Sequence, residues 1–230
     1  ARGKSINNIL SLDSDESISA ILAVKTFNDD SYLFLTTRNG MVNRMALSSF
    51  AKVRSSGLKA ILLKDNDYLF NAIYTCGNDR ILLSSSSGKS IMFSETQIRK
   101  RARGTQGVVG IKMAKNAKII SSLSLYSKQL IFVTENGYGN KVSIDSYSEQ
   151  NRGGQGVISI KTSSRNGDVV GAVNVNDNDH IILITNKGKT IKISASDMNT
   201  INRNTQGVRL QDMSDDEKIA AISSEHKGDE

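Results

Sequence analysis

The stretch QNRGGQGVISIKT, Gln150–Thr162, sets three glycines and one arginine ahead of a run that alternates apolar and polar residues. Two shorter versions stand elsewhere, GTQGVVGIKM at Gly104–Met113 and NTQGVRLQDM at Asn204–Met213. Gln-Gly-Val before a strand, written three times, calls for a measurement of period. The strand-opening glycine recurs at Gly3, Gly57, Gly107, Gly156 and Gly207, at intervals of 54, 50, 49 and 51 residues. A turn glycine recurs at Gly40, Gly88, Gly137 and Gly188, at intervals of 48, 49 and 51. An apolar position recurs at Leu22, Ile73, Leu123, Val173 and Ile222, at intervals of 51, 50, 50 and 49. Three rulers agree on one period of about fifty residues, the mark of a repeat architecture.

Each period carries the same elements: a glycine-led strand (GVVGIKM), a second strand (KIISSLSLY) and a hairpin (QLIFVTENGYGNKVSID). Alternation of β-branched residues in TIKIS and HIILIT is a strand signal, and no apolar stripe at helical spacing exceeds about two turns. Asn39-Gly40 and Asn136-Gly137 suit a two-residue hairpin turn, whose central residues both take positive φ; Ser87-Gly88 and Lys187-Gly188 are weaker versions. The chain has no proline, so its loops must turn on Gly, Asn, Asp and Ser. Four short strands in about fifty residues make a propeller blade, a unit that buries its faces against neighbours and avoids long free edges. Kelch-type and WD-type blades lean on tryptophan, which is absent.

The expected fold is therefore all-β, a propeller-like disc over residues 1–223, with repeats near 1–50, 51–100, 101–150, 151–201 and a partial one at 202–223. Residues 224–230 read as an acidic tail. Five glycine-led strands against four hairpins imply an incomplete ring of about five repeats, with the missing hairpin expected ahead of Ala1.

Composition narrows the function. The net charge of +7 hides an uneven distribution, because residues 212–230 hold seven acids and two lysines, which leaves +12 on the rest. That surplus favours a polyanionic partner through counterion release. Apolar runs such as YLFL and IILI fall far short of the roughly 18–20 residues of a membrane helix, so no membrane partner is expected. Cys76 alone excludes an internal disulfide framework and favours an intracellular setting. With His180 and His226 it is also too little for a Cys/His zinc site. No P-loop and no Gly-x-Ser-x-Gly elbow occurs. Asp65-Asn66-Asp67 and Asp177-Asn178-Asp179 lack the glycine and terminal glutamate of a calcium loop, and read as one recurring inter-strand turn. Catalytic residues, metals and cofactors are accordingly assigned to none of this chain.

The strand-opening glycines themselves are read as backbone positions needing positive φ or close approach. The loops ahead of them are basic: Lys52 and Arg54, then Arg99, Lys100, Arg101 and Arg103, then Arg152, then Arg203, with Lys4 just past the first glycine. A cation at the same point of each repeat would return around the disc at a regular step and form a curved path for a phosphate backbone. Bending 20–30 base pairs by 40–90° costs on the order of 1–6 kcal/mol, so several phosphate contacts are needed, and these position DNA without reading it. Aromatics are 5% of the chain, with no tryptophan, which argues against a single-strand stacking platform.

RNGMVNRMALSSF, ENGYGNKVSIDSY, QGVISIKTSSRNGDVVGAVNVNDNDHIILIT and NRNTQGVRLQDM resemble the C-terminal domain of the DNA gyrase A subunit, over nearly the whole chain and in the same order. The resemblance implies a β-pinwheel, a disc whose adjacent blades exchange strands and whose basic rim wraps duplex DNA in support of negative supercoiling. It implies a non-catalytic accessory domain of an ATP-dependent type II topoisomerase, with ATP and magnesium bound elsewhere in the parent enzyme. Implied partners are duplex DNA, largely regardless of sequence, the remainder of the gyrase A subunit, and the gyrase B subunit. The implied setting is cytoplasmic and nucleoid-associated. The family's seven-residue box, Gln-Arg-Arg-Gly-Gly-Lys-Gly, is matched in part by Gln150, Arg152, Gly153, Gly154 and Gly156, while Asn151 and Gln155 replace its other cations. Two alternatives stay open: the C-terminal domain of the topoisomerase IV A subunit, and a protein-interaction propeller that binds an acidic partner.

Overall fold

The computed structural model describes residues 16–53 and 57–226. Gly3, Lys4 and Arg54 lie outside the described residues. Four units follow one another, each with a short 3-10 turn directly after its hairpin, and no α-helix occurs among the described residues. The first holds β1 (Tyr32–Thr37), β2 (Met41–Ala46), β3 (Ile61–Leu62) and β4 (Leu69–Thr75). The second holds β5 (Arg80–Ser85), β6 (Lys89–Ser94), β7 (Thr105–Gln106), β8 (Val108–Val109) and β9 (Ile119–Ser124). The third holds β10 (Gln129–Thr134), β11 (Tyr138–Ser143), β12 (Val157–Ile158) and β13 (Val169–Val175). The fourth holds β14 (His180–Thr185), β15 (Thr190–Ser194), β16 (Val208–Arg209) and β17 (Ile219–Glu225).

The sheets do not coincide with these units. Each of the first three hairpins is flanked on one side by its own unit's long strand and on the other by a short strand of the next unit, in the orders β4-β1-β2-β8, β9-β5-β6-β12 and β13-β10-β11-β16. Among the described residues the fourth sheet, β15-β14-β17, has no such lent strand. This exchange makes the fold a β-pinwheel. A two-residue strand forms because the neighbouring hairpin already presents its edge: Val108 and Val109 pair with Val42 and Met41, and Val157 and Ile158 with Ser90 and Lys89. The long strands β4, β9, β13 and β17 touch one another in succession and so line the axis, with the lent strands at the rim. Small residues permit that approach: the Thr36 and Ser122 hydroxyls meet at 2.7 Å, and Ser121 Oγ donates to Ala172 O at 3.0 Å.

Three of the four core clusters lie between blades, and the fourth, Leu35, Met45 and Ile61, lies within blade 1. Phe34 and Val42 of blade 1 pack with Ile81, Leu83, Ile91 and Phe93 of blade 2. Leu82 and Met92 pack with Leu130, Phe132, Val142 and Tyr147 of blade 3. Ile131, Val133 and Val173 pack with Ile181 and Leu183 of blade 4. The first and third junctions also bury a cation. Arg44 Nε lies 3.1 Å from Glu95 Oε2, and the guanidinium stacks 3.8 Å over the Tyr32 ring. Glu95 is fully buried and accepts from Thr75 Oγ1 and the Gly77 and Asp79 amides. Lys141 Nζ donates to Asp177 Oδ1 and Ala195 O, each at 2.9 Å. In the middle junction Met92 replaces the cation, and Tyr147 donates to Ser159 Oγ at 2.8 Å; burial pushes its phenol up to about 12.

Three expectations are corrected. The first three hairpin loops have three residues and the fourth has four, not two: Gly40, Gly88, Gly137 and Gly188 donate to Thr37 O, Ser85 O, Thr134 O and Thr185 O, at 3.0–3.1 Å. Only the glycine of each loop has positive φ, so a tight turn is followed by a left-handed glycine, and Asn39 and Asn136 need no such conformation. The segment around Leu22 forms no strand, and Leu22 is 37% exposed, because no hairpin among the described residues offers it a ladder. The two Asp-Asn-Asp segments are different turns. Asp65–Asp67 precedes an axial strand, where Asp67 Oδ1 accepts from the Asn39 amide, while Asp177–Asp179 joins β13 to β14, where Asp179 Oδ2 accepts from the Asn176 amide.

Candidate nucleic-acid interface

Gly107, Gly156 and Gly207 each end a loop that leaves the previous hairpin through a 3-10 turn and climbs the outer edge of the blade before. In the second unit Ile98, 1% exposed, pins the start of that climb. The Arg101 amide then donates to Arg44 O, Asn43 Nδ2 reaches Thr105 O, and the Gly110 amide donates to Gly40 O. The Gln150 amide donates to Met92 O, and the Ile201 amide to Lys141 O, at the matching steps of the third and fourth units. Repetition thus presents one loop on the rim of each of the first three blades.

The glycines serve that climb. A Cβ on Gly156 would stand 2.3 Å from Ser90 O, and one on Gly207 would stand 2.5 Å from Gly139 O; both have left-handed φ. Gly107 does not have the positive φ and is required by closeness alone, 2.7 Å from Val42 O.

The loops differ in what they expose. Arg99, Lys100 and Arg103 are exposed and Arg101 is half-buried. With Arg152 and the apolar floor of Ile98 and Val108, the loop from Gln97 to Thr105 walls a groove of about 530 Å³. Lys100 Nζ lies 3.1 Å from Asp29 Oδ1, both exposed; the hydrogen bond from Ser48 and this contact hold the Asp29 carboxyl below its ordinary value. Lys52 is exposed in the first loop. Arg152 and Arg203 are half-buried and bonded to main-chain carbonyls of neighbouring blades. The groove between Ser143, Ser146 and the 200–205 loop carries no charged lining residue. Positive charge is therefore concentrated at the second unit rather than repeated evenly.

The box-like residues are knitted into a seam. The Gly153 amide donates to Gly110 O at 2.6 Å, and Gly154 O accepts from the Lys112 amide at 2.8 Å. A further basic group is not singled out by the sequence pattern. Lys112, Lys115 and Lys118 are exposed on the return from β8 to β9, and Lys89 and Lys112 border a cleft of about 140 Å³ with Ser85, Ser87 and Gln155. The signal stands in IKMAKNAK, but its nearness to the hairpin tip depends on tertiary bonds such as Ser86 N to Lys118 O at 2.8 Å. The same return in the fourth unit is acidic, with Asp215, Asp216 and Glu217; a bond from Thr185 holds the Glu217 carboxyl low.

A family model described as DNA gyrase C-terminal domain, beta-propeller, matches at residues 31–76, 79–125, 128–176 and 179–224, the four units above. The A subunit of DNA gyrase from Salmonella typhimurium is 40% identical over 223 residues, which cover 96% of this chain and 25% of that protein. The chain thus spans about a quarter of the length of such curated relatives. Among solved structures, a DNA gyrase A C-terminal domain superposes with a TM-score of 0.86 at 28% identity, over 97% of this chain and 75% of that one. The C-terminal domain of a DNA topoisomerase IV superposes with a TM-score of 0.90 at 25% identity, over 96% of this chain and 70% of that one.

Proposed function

The chain belongs to the DNA gyrase C-terminal domain family, and from that premise we propose that its rim binds and bends duplex DNA as an accessory element of a type II topoisomerase. The observation that carries this reading is the exposed cluster Arg99, Lys100 and Arg103, with Arg101 beside it, on a loop that the fold holds against the outermost edge of blade 1. Phosphates would lie along that edge, with Lys89, Lys112, Lys115 and Lys118 farther along the same unit. Lys52 extends the proposed path toward the first unit, and Lys4 and Arg54 remain proposed contacts on the sequence pattern alone. Binding of this kind is insensitive to sequence, since cations on loops meet phosphates rather than base edges. The remainder of the gyrase A subunit, the gyrase B subunit and a cytoplasmic, nucleoid setting follow as proposals from the family.

The test is a mobility-shift titration with linear duplex across several salt concentrations, followed by ligase closure of relaxed circles in the presence of the domain. Replacing Arg99, Lys100, Arg101 and Arg103 by Gln should flatten the salt dependence by roughly 0.9 log units for each phosphate no longer neutralised and abolish any change in linking number. Unchanged salt dependence would overturn the assignment of these residues. No binding by the parent chain at low salt would favour an acidic protein partner instead.

A further inference from the structure

Arg152 and Arg203 occupy one place in the repeat, four residues before Gly156 and Gly207, and make the same unusual set of bonds. Arg152 Nε donates to Gln97 O at 3.2 Å, and its Nη1 to Val109 O at 3.1 Å. Gln97 ends the 3-10 turn of blade 2, whereas Val109 sits in β8, the strand lent to blade 1. Arg203 Nε donates to Ser146 O at 3.1 Å, and its Nη1 to Ile158 O at 2.7 Å. Ser146 ends the turn of blade 3, and Ile158 sits in β12, lent to blade 2. Each guanidinium therefore spans the carbonyls of two successive sheets from a loop that belongs to the next unit.

Arg103 stands four residues before Gly107 and supplies an internal contrast. The carbonyl matching Val109 and Ile158 would be that of Lys59, which lies in no strand; Ile61 and Leu62 beyond it pair with Thr105 and Gln106 and not with a preceding hairpin. Arg103 is exposed, with its guanidinium 6.0 Å from the Phe50 ring centre. The fork closes where the lent strand is held in a sheet on the preceding blade.

We infer that Arg152 and Arg203 are inter-blade clamps, Arg152 fixing the angle between blades 1 and 2 and Arg203 that between blades 2 and 3. On the DNA-bending reading above, they act on the curvature of a bound duplex through that angle and not as phosphate contacts. A lysine keeps the charge but has a single donor head, and it cannot reproduce the rigid fork that reaches two carbonyls. These are positioning residues.

The first experiment needs no DNA. In a full chain carrying Cys76→Ser, spin labels at Asn39→Cys and Ser87→Cys report the distance between the hairpin tips of blades 1 and 2, and labels at positions 87 and 136 report blades 2 and 3. Arg152→Lys should widen the 39–87 distribution at least twofold and spare the 87–136 pair. Arg203→Lys should do the reverse, and Arg103→Lys should alter neither. Circular dichroism confirms folding, so unchanged distributions in folded Arg152→Lys and Arg203→Lys chains would overturn the clamp.

The second experiment uses duplex. Arg152→Lys/Arg203→Lys should keep the parent's affinity within about twofold and its salt dependence, while the linking-number change per bound domain falls by half or more. If the two arginines instead touch phosphate, the lysine variant will keep the parent's linking number, and Gln at both positions will flatten the salt dependence by roughly 0.9 log units per residue. A parent that binds no duplex defeats the DNA-bending reading alone, because the label distances still decide the clamp.

Discussion

The hairpins of blades 2 and 4 have nearly the same length, turn and partner strand, yet one is sealed and the other open. In β6, Ser90, Ile91, Met92 and Phe93 are all buried, whereas the matching Thr190 and Lys192 of β15 are exposed and Ile191 and Ile193 half-buried. A Cβ on Gly88 would stand 2.1 Å from Ile160 O; one on Gly188 would meet nothing within 4 Å. The difference is the lent strand, present as β12 over β6 and without a counterpart over β15 among the described residues. Two residues of ladder and the loop that brings them thus account for the burial of a whole hairpin edge.

The comparison can be broken most directly at the turn. Gly88→Ala should destabilise by about 3 kcal/mol or more, from left-handed strain of roughly 1–2 kcal/mol plus overpacking against a backbone carbonyl. Gly188→Ala bears the strain alone and should cost about 1 kcal/mol; urea unfolding of both variants reads the gap, and equal losses would show that the lent strand does not press on the turn. Core truncation sharpens the same contrast. Ile91→Ala should cost about 3 kcal/mol and Ile191→Ala about 1 kcal/mol, since only the first leaves a cavity in a fully enclosed site.

A pH titration probes the seam beside the sealed hairpin. The phenol of Tyr147, raised to about 12 by burial, stays protonated in the folded chain while an unfolded tyrosine ionises near 10. Unfolding then releases a proton, so this contribution is whole below about pH 10 and is lost as pH climbs to about 12, on the order of 2 kcal/mol in all. Tyr147→Phe should remove that part of the decline, at the expense of about 1 kcal/mol at neutral pH for the missing bond to Ser159. The smallest effect is expected in hydrogen exchange, where amides of β15 should exchange about tenfold faster than those of β6, as befits a less protected element.

Much of this was written in the sequence. The fifty-residue period, the all-β character and the hairpin glycines follow from spacing, since Gly40, Gly88, Gly137 and Gly188 mark the turns wherever the partner strand lies. What spacing could not supply is partnership. Val157 and Ile158 look like the start of their own unit's sheet, but they pair with β6 of the unit before, and only long-range hydrogen bonds reveal it. The candidate interface divides along the same line. Arg99, Lys100 and Arg103 are exposed, as a dense basic run suggests. Arg152 and Arg203 look identical in a string of letters, yet their nitrogens are committed to carbonyls more than forty residues away.

Alternation along the arc has a consequence for how such a chain can grow or shrink. The second and third units each give and receive an equivalent strand, so deleting either one leaves donor and acceptor matched. The junctions are less forgiving, because an arginine facing Glu95 alternates with an apolar seam at Met92 and then a lysine facing Ala195. Removal of blade 2 would take Glu95 away and set Arg44 against Ile144, the apolar residue at the matching place in blade 3. Copy number in this architecture is therefore constrained by what the junctions bury more than by strand exchange.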